Sequence, residues 1–202
     1  VTASFELPFG QIKSITGYRK LHQETGVDVD MTPYQIHEQR LNLHQNQFSQ
    51  EIQLSGNAFN DRLNFTTGLY YFQESALDFS EYRIISPLRG LAPSLDVSYA
   101  KPLDADNKSY AAYGQGTFKF TDQLSLTAGL RYSYDRKIAS TYQTNPFSGV
   151  ITFPYTERRT SSQDLSPRLS VEYRWMPDIM TYASIAKGYK SGGANGRASS
   201  RP

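Results

Sequence analysis

Three histidines, His22, His37 and His44, are the only ones in the chain, and none is spaced as a His-x-x-x-His pair or a similar ligand set. They read as strand-end or loop residues. "GVDVD" at 26–30 offers two carboxylates, Asp28 and Asp30, which could hold calcium or simply close a solvated turn. "GQG" at 114–116 lacks the rest of a dinucleotide fingerprint, and its glycines read as room for aromatic neighbours such as Tyr132 or Phe118. "SGGANG" at 191–196 lacks the Lys-Ser/Thr of a phosphate loop. Asn64 and Asn107 match the glycosylation pattern, a match short enough to arise by chance. No Ser-His-Asp set or carboxylate pair stands out. The expectation is no catalytic centre, no metal and no cofactor. What remains is a set of charged residues, Lys119, Arg131, Asp135, Glu172, Arg174 and Lys190, with Glu51, that fall on one parity of alternating segments.

Those segments are strands. In "TDQLSLTAGLRYSYD" (121–135), Leu124, Leu126, Ala128, Leu130, Tyr132 and Tyr134 share one parity, and Ser125, Thr127, Gly129, Arg131, Ser133 and Asp135 share the other. Period-two stretches recur near 2–7, 11–24, 38–55, 62–80, 107–120, 123–139, 162–175 and 179–190. Short connections at 8–10, 56–61, 121–123 and 176–178 alternate with long ones at about 25–37, 81–106 and 140–161, and a last one opens at 191. "DRLNFTTGLYY" and "DQLSLTAGLRY" form a degenerate repeat that supports repeated hairpins.

Turn parity tests the two faces. If 121–123 is the loop, Phe118 lies opposite Leu126, Gly114 opposite Leu130, and Tyr113 opposite Arg131. A loop one residue shorter would set Lys119 beside the greasy face. The same arithmetic with a loop at 56–61 sets Leu54, Ile52, Gln50 and Phe48 opposite Leu63, Phe65, Thr67 and Leu69. Farther on, Leu169, Val171, Tyr173 and Trp175 take one face, and Arg168, Ser170, Glu172 and Arg174 the other.

The composition narrows the setting. The 202 residues carry 21 Lys plus Arg against 19 Asp plus Glu, a net charge of +2 that leaves no nucleic-acid footprint. Cysteine is absent, and 15 Tyr and 11 Phe accompany a single Trp. No apolar run approaches the ~20 residues of a membrane helix. Leu124 to Tyr132 rises about 26 Å as a strand, which gives ~20 Å along a membrane normal after tilt, close to the apolar band of an outer-membrane barrel. Phe120 and Trp175 beside short turns, and Tyr71, Tyr132 and Tyr134 toward long connections, suit two interfacial girdles. Lys187, on the lipid parity near the outer rim, is expected to snorkel toward anionic headgroups. Acids in the outer loops could join divalent-ion bridges between lipopolysaccharide molecules. Opening on Val1 without a leader, the chain reads as part of a longer polypeptide or a processed form.

"FSQEIQLSG" followed by "DRLNFTTGLYYFQE" resembles TonB-dependent outer-membrane receptors, as do "YAAYGQGTFKFTDQLSLTAGLRYSYD" and "LSPRLSVEYRW…MTYASIAKGYKSGGANG". The run Ala186 to Gly193 is the most specific, and is similar to the branch often labelled iron-complex receptors. The resemblance implies an all-β, antiparallel transmembrane barrel of ~22 strands, of which residues 1–202 supply the central eight, with the plug domain and the C-terminal strands elsewhere. It implies partners as well: membrane lipid and lipopolysaccharide, the protein's own plug, TonB through an N-terminal region, and a large scarce solute, typically a ferric siderophore. The inward residues would then line the solute route or dock the plug, or form a hydrated wall with no specific ligand. Two alternatives stay open. Eight strands could close as a small barrel serving as adhesin, anchor or enzyme. A soluble β module binding carbohydrate would also alternate.

Overall fold

The computed structural model describes residues 1–34, 36–85, 90–92 and 96–193. They form one eight-stranded antiparallel meander in chain order: β1 (Thr2–Leu7), β2 (Gly10–Asp28), β3 (His37–Ala58), β4 (Leu63–Ile84), β5 (Tyr99–Lys119), β6 (Leu124–Thr144), β7 (Ile151–Met176) and β8 (Ile179–Ala186). Among the described residues β1 pairs only with β2 and β8 only with β7, so the eight strands do not close on themselves. β3 and β4 run 22 residues each and β7 runs 26, far beyond the five or six usual in soluble sheets.

At one end the strands are joined by tight turns. Leu7 pairs with Gly10 around residues 8–9, and Met176 with Ile179 around 177–178. Between β5 and β6 the Thr121 hydroxyl accepts the backbone N–H groups of Gln123 (3.2 Å) and Leu124 (3.0 Å), and Phe120 N–H donates to the Leu124 carbonyl at 3.0 Å. The expected register follows: Phe118 faces Leu126, Gly114 faces Leu130 and Tyr113 faces Arg131.

The β3–β4 register differs from expectation. The turn is 59–62, with Phe59, Asn60 and Asp61 at φ 56°, 55° and 65°. β3 therefore continues to Ala58, and Ile52 pairs with Leu69 instead of Phe65, a shift of four residues. An even shift preserves the faces, so Phe48, Ile52 and Leu54 still share a side with Leu63, Phe65 and Leu69.

The connections at the other end are shorter than expected. They span 29–36, 85–98 and 145–150, because the strands carry on through sequence that lacks regular apolar alternation. The backbone ladder needs no apolar alternation to persist there, only partners and water. Asn145 closes the last of these connections by accepting from Phe147 and Ser148 N–H, each at 2.9 Å. Asp30 closes the first, accepting from His37 N–H (2.6 Å), Thr32 N–H (3.0 Å) and the Thr32 hydroxyl. The carboxylates of "GVDVD" thus serve a turn. β8 stops at Ala186, four residues before the expected end, so Lys190 lies beyond the strand rather than on it. Of the histidines, His37 opens β3 as a strand-end residue, but the other two differ from expectation. His22 and His44 face each other within β2 and β3, their rings stacked at 4.2 Å.

Burial across the sheet is inverted relative to a soluble protein. Leu69 is 62% exposed, Leu130 49% and Ile185 73%, all on one face. On the opposite face Ser133 is 5% exposed and Ala111 7%. Sheet curvature crowds the polar side and spreads the apolar one. A soluble module would cover that apolar face, and a contiguous apolar surface this broad calls for lipid or a partner.

Candidate functional site: the inward wall

The polar face is built strand by strand from alternate residues. On β3 it carries Gln45, Gln47, Glu51 and Gln53; on β4, Gly68, Tyr70 and Glu74; on β5, Asn107 and Tyr113; on β6, Arg131, Ser133 and Asp135. Two hydrogen-bonded clusters form across it. In the first, Tyr113 reaches over the intervening strand and donates its hydroxyl to Glu51, which also accepts from Gln53 Nε2 at 3.0 Å. Gly68 stands opposite Tyr113, and a Cβ there would lie 2.7 Å from the Tyr113 hydroxyl and 2.8 Å from the Ile52 carbonyl. Arg131 completes the cluster, with its guanidinium carbon 5.7 Å from the Tyr113 ring and 5.8 Å from the Tyr70 ring, and its Nε donating to Ser133 at 3.1 Å. In the second, Glu74 accepts from Gln45 (2.7 Å), Asn107 (2.8 Å) and Gln47.

The six sequence-predicted residues lie at three levels of the sheet. Lys119 ends β5 beside Ser125, which faces Glu172, and the Arg174 guanidinium lies 3.9 Å from Glu172. These three sit near the short turns. Arg131 lies at mid-height. Asp135 stands toward the long connections, about 33 Å along β6 from Ser125. The segment after β8 turns inward over β7 and β6: Tyr189 donates to Asp135 (2.8 Å), Lys137 to Ser191 (2.6 Å), and Gly192 N–H to Ser162 (3.2 Å). Lys190 belongs to this segment and is exposed. Lys187 does not reach outward: its ammonium donates to Asp164, on the polar face, and to the Leu165 carbonyl at 3.2 Å. The inward departure of the chain at 187 carries it away from the rim.

Sequence reasoning missed Tyr70, Glu74 and the inward segment. The corrected β3–β4 register brings Glu51 opposite Tyr70 and within reach of Tyr113, whereas the expected one would set it opposite Thr66. The glycines at 114 and 116 accommodate no aromatic ring. A Cβ on Gly116 would meet Leu63 Cδ1 at 3.2 Å, and one on Gly114 only Thr67. No group of three or more His, Cys, Asp or Glu side chains among the described residues could hold a metal.

The outward face completes the geometry. Phe48, Tyr71, Tyr110 and Tyr134 form an aromatic row with centroid spacings of 6.2, 5.2 and 6.4 Å. A second set lies by the short turns, with Phe118 5.0 Å from Phe120 and Tyr173 4.5 Å from Trp175. Between them runs the apolar band. A model of the TonB dependent receptor-like β-barrel matches residues 2–201. The chain belongs to this family. The receptor barrel is also similar in fold to the crystal structure of the ferric yersiniabactin uptake receptor FyuA from Yersinia pestis, with a TM-score of 0.74 at 16% identity. The match covers 91% of this chain and 26% of that one, so the chain spans about a quarter of the solved receptor.

Proposed function

We propose that these residues are part of the barrel wall of an outer-membrane receptor that imports a large, scarce solute, a ferric siderophore being the first candidate, using energy delivered through TonB. The observation that carries the reading is the inverted sheet: an apolar band between two aromatic rows outside, and hydrogen-bonded polar clusters inside. Such a wall suits a wide lumen filled by a plug domain, and in this reading Arg131, Glu51 and Glu74 line the route or dock that plug. Family membership supports the receptor class, and the likeness to an iron-complex uptake receptor motivates the choice of solute.

Accumulation of radiolabelled ferric siderophores by cells expressing the full gene, with and without TonB, tests the reading. Uptake is expected only with TonB present and the inner membrane energised. Uptake that persists without TonB rejects the mechanism. TonB-dependent uptake of a sugar or vitamin, with no response to iron chelates, keeps the mechanism and rejects only the solute.

A further inference from the structure

We infer that the outward face of β5 and β6 carries a binding site for the phosphate of an outer-leaflet lipopolysaccharide, formed by Lys108 and Arg136 with Gln73. Tyr110 and Tyr134 face each other in the aromatic row, and the next outward pair toward the long connections is Lys108 opposite Arg136. Two residues of strand set this pair about 6–7 Å beyond the row, at the depth where hydrocarbon gives way to phosphate headgroups. Like charges directly opposite on neighbouring strands repel. Here both side chains are exposed, and neither has an ion-pair partner among the described residues. An anion between them would turn the repulsion into a two-cation clamp.

The flanking residues suit an oxyanion. Gln73 lies opposite Lys108 on β4, and Ser161 lies opposite Arg136 on β7, so the row holds two cations and two neutral hydrogen-bonding groups. Tyr71 donates its hydroxyl to Gln73 Oε1 at 2.8 Å, which commits the acceptor end of the amide and leaves its NH₂ as donor. The nearest acid on this face, Asp106, stands opposite Ile138, one pair farther from the hydrocarbon. Below the clamp, Tyr132 and Leu130 are half exposed and offer a surface for acyl chains.

The inference rests on the outer-membrane reading above, and its test separates the two. The full-length protein is purified in detergent from outer membranes, its folding is checked by the heat-dependent shift of its gel band, and its retention of bis-phosphorylated lipid A is measured by native mass spectrometry. Lys108→Gln with Arg136→Gln is expected to lower retention about tenfold or more, the loss of two surface cations. Arg19→Gln with Arg158→Gln removes two cations from the inward face at a similar height and should leave retention unchanged. Lys108→Arg with Arg136→Lys keeps both charges and should retain the lipid. Equal retention in all three variants overturns the inference, as does equal retention of dephosphorylated lipid A. Displacement of lipid A by millimolar inorganic phosphate overturns the lipid as the source of the anion. Absence of the wild-type protein from the outer membrane overturns the receptor reading and the inference together, whereas a barrel present there that ignores the Gln substitutions overturns the inference alone.

Discussion

The ring of Tyr113 lies across Gly68, and its hydroxyl is bonded to Glu51 on the strand beyond. Three neighbouring strands are thereby tied by a single side chain. The tie needs a glycine on the middle strand, because any Cβ at 68 would occupy the space the phenol crosses.

Gly68→Ala should therefore expel the Tyr113 ring and break both the Glu51 bond and the stacking of Arg131. Overpacking of this kind costs about 1–3 kcal/mol. Tyr113→Phe keeps the ring and removes only one hydrogen bond, for about 1 kcal/mol. The temperature at which the folded gel band of the full-length barrel disappears should fall more for Gly68→Ala than for Tyr113→Phe. The reverse order would mean the ring does not cross Gly68.

Leu126 and Thr127 are adjacent and point to opposite faces. Leu126 pairs with Phe118 in the apolar band, while the Thr127 hydroxyl lies 2.8 Å from that of Thr117 on the polar side. Leu126→Arg should impair insertion by about 2–4 kcal/mol, and Thr127→Arg by much less, because its side chain enters water. Folding into lipid vesicles under urea measures both. Equal damage would undo the assignment of faces.

The loop carboxyl of Asp30 is held below its ordinary value, first by the Thr32 hydroxyl and then by the His37 backbone N–H. A lowered carboxyl value means that the charged form is the one the folded loop favours. Its contribution is present above the ordinary carboxyl value and is lost as pH falls below it. Asp30→Asn should speed hydrogen exchange at His37 and Thr32 at neutral pH. The wild-type protein should show the same acceleration only in strong acid. Unchanged exchange in the variant would show that the charge does not hold the loop.

The inward segment after β8 hangs on Tyr189 and Lys137 through Asp135 and Ser191. Tyr189→Phe with Lys137→Gln should release it and expose it to trypsin at Lys187 and Lys190, with no loss of the folded barrel. Cleavage at the wild-type rate would show that the segment is held by other contacts.

The faces of the three hairpins at 38–80, 107–139 and 162–190 are legible in the sequence, because a period of two survives any even error in register; the alternation at 11–24 is too irregular to give a face. The β3–β4 register itself is not. "GNAFND" offers turn residues from Gly56 onward, and nothing local announces that Phe59, a side chain that rarely takes positive φ, opens a left-handed run with Asn60 and Asp61. The Glu51–Tyr113–Arg131 cluster depends on that register and on sheet curvature, so it could not be assembled from alternation alone. Residues 99–106 of β5, 140–144 of β6 and 151–161 of β7 fall outside the strands that patterning predicts, because regular apolar alternation lapses there; hydrophobic patterning reports burial, and a backbone ladder can pair without it.

The outer end of β6 carries a mechanical consequence. β6 runs on from Tyr134 to Thr144, which lifts its end about 25 Å above the aromatic row after tilt. In the proposed membrane setting this strand and its neighbours raise part of the barrel's mouth clear of the lipid, and the β6–β7 ladder is bulged near its end, between Thr141 and Thr144. Sequence at that end can drift freely, since neither insertion nor the girdles depend on it. A lineage could therefore change what its receptor meets first without renegotiating how the wall sits in the membrane.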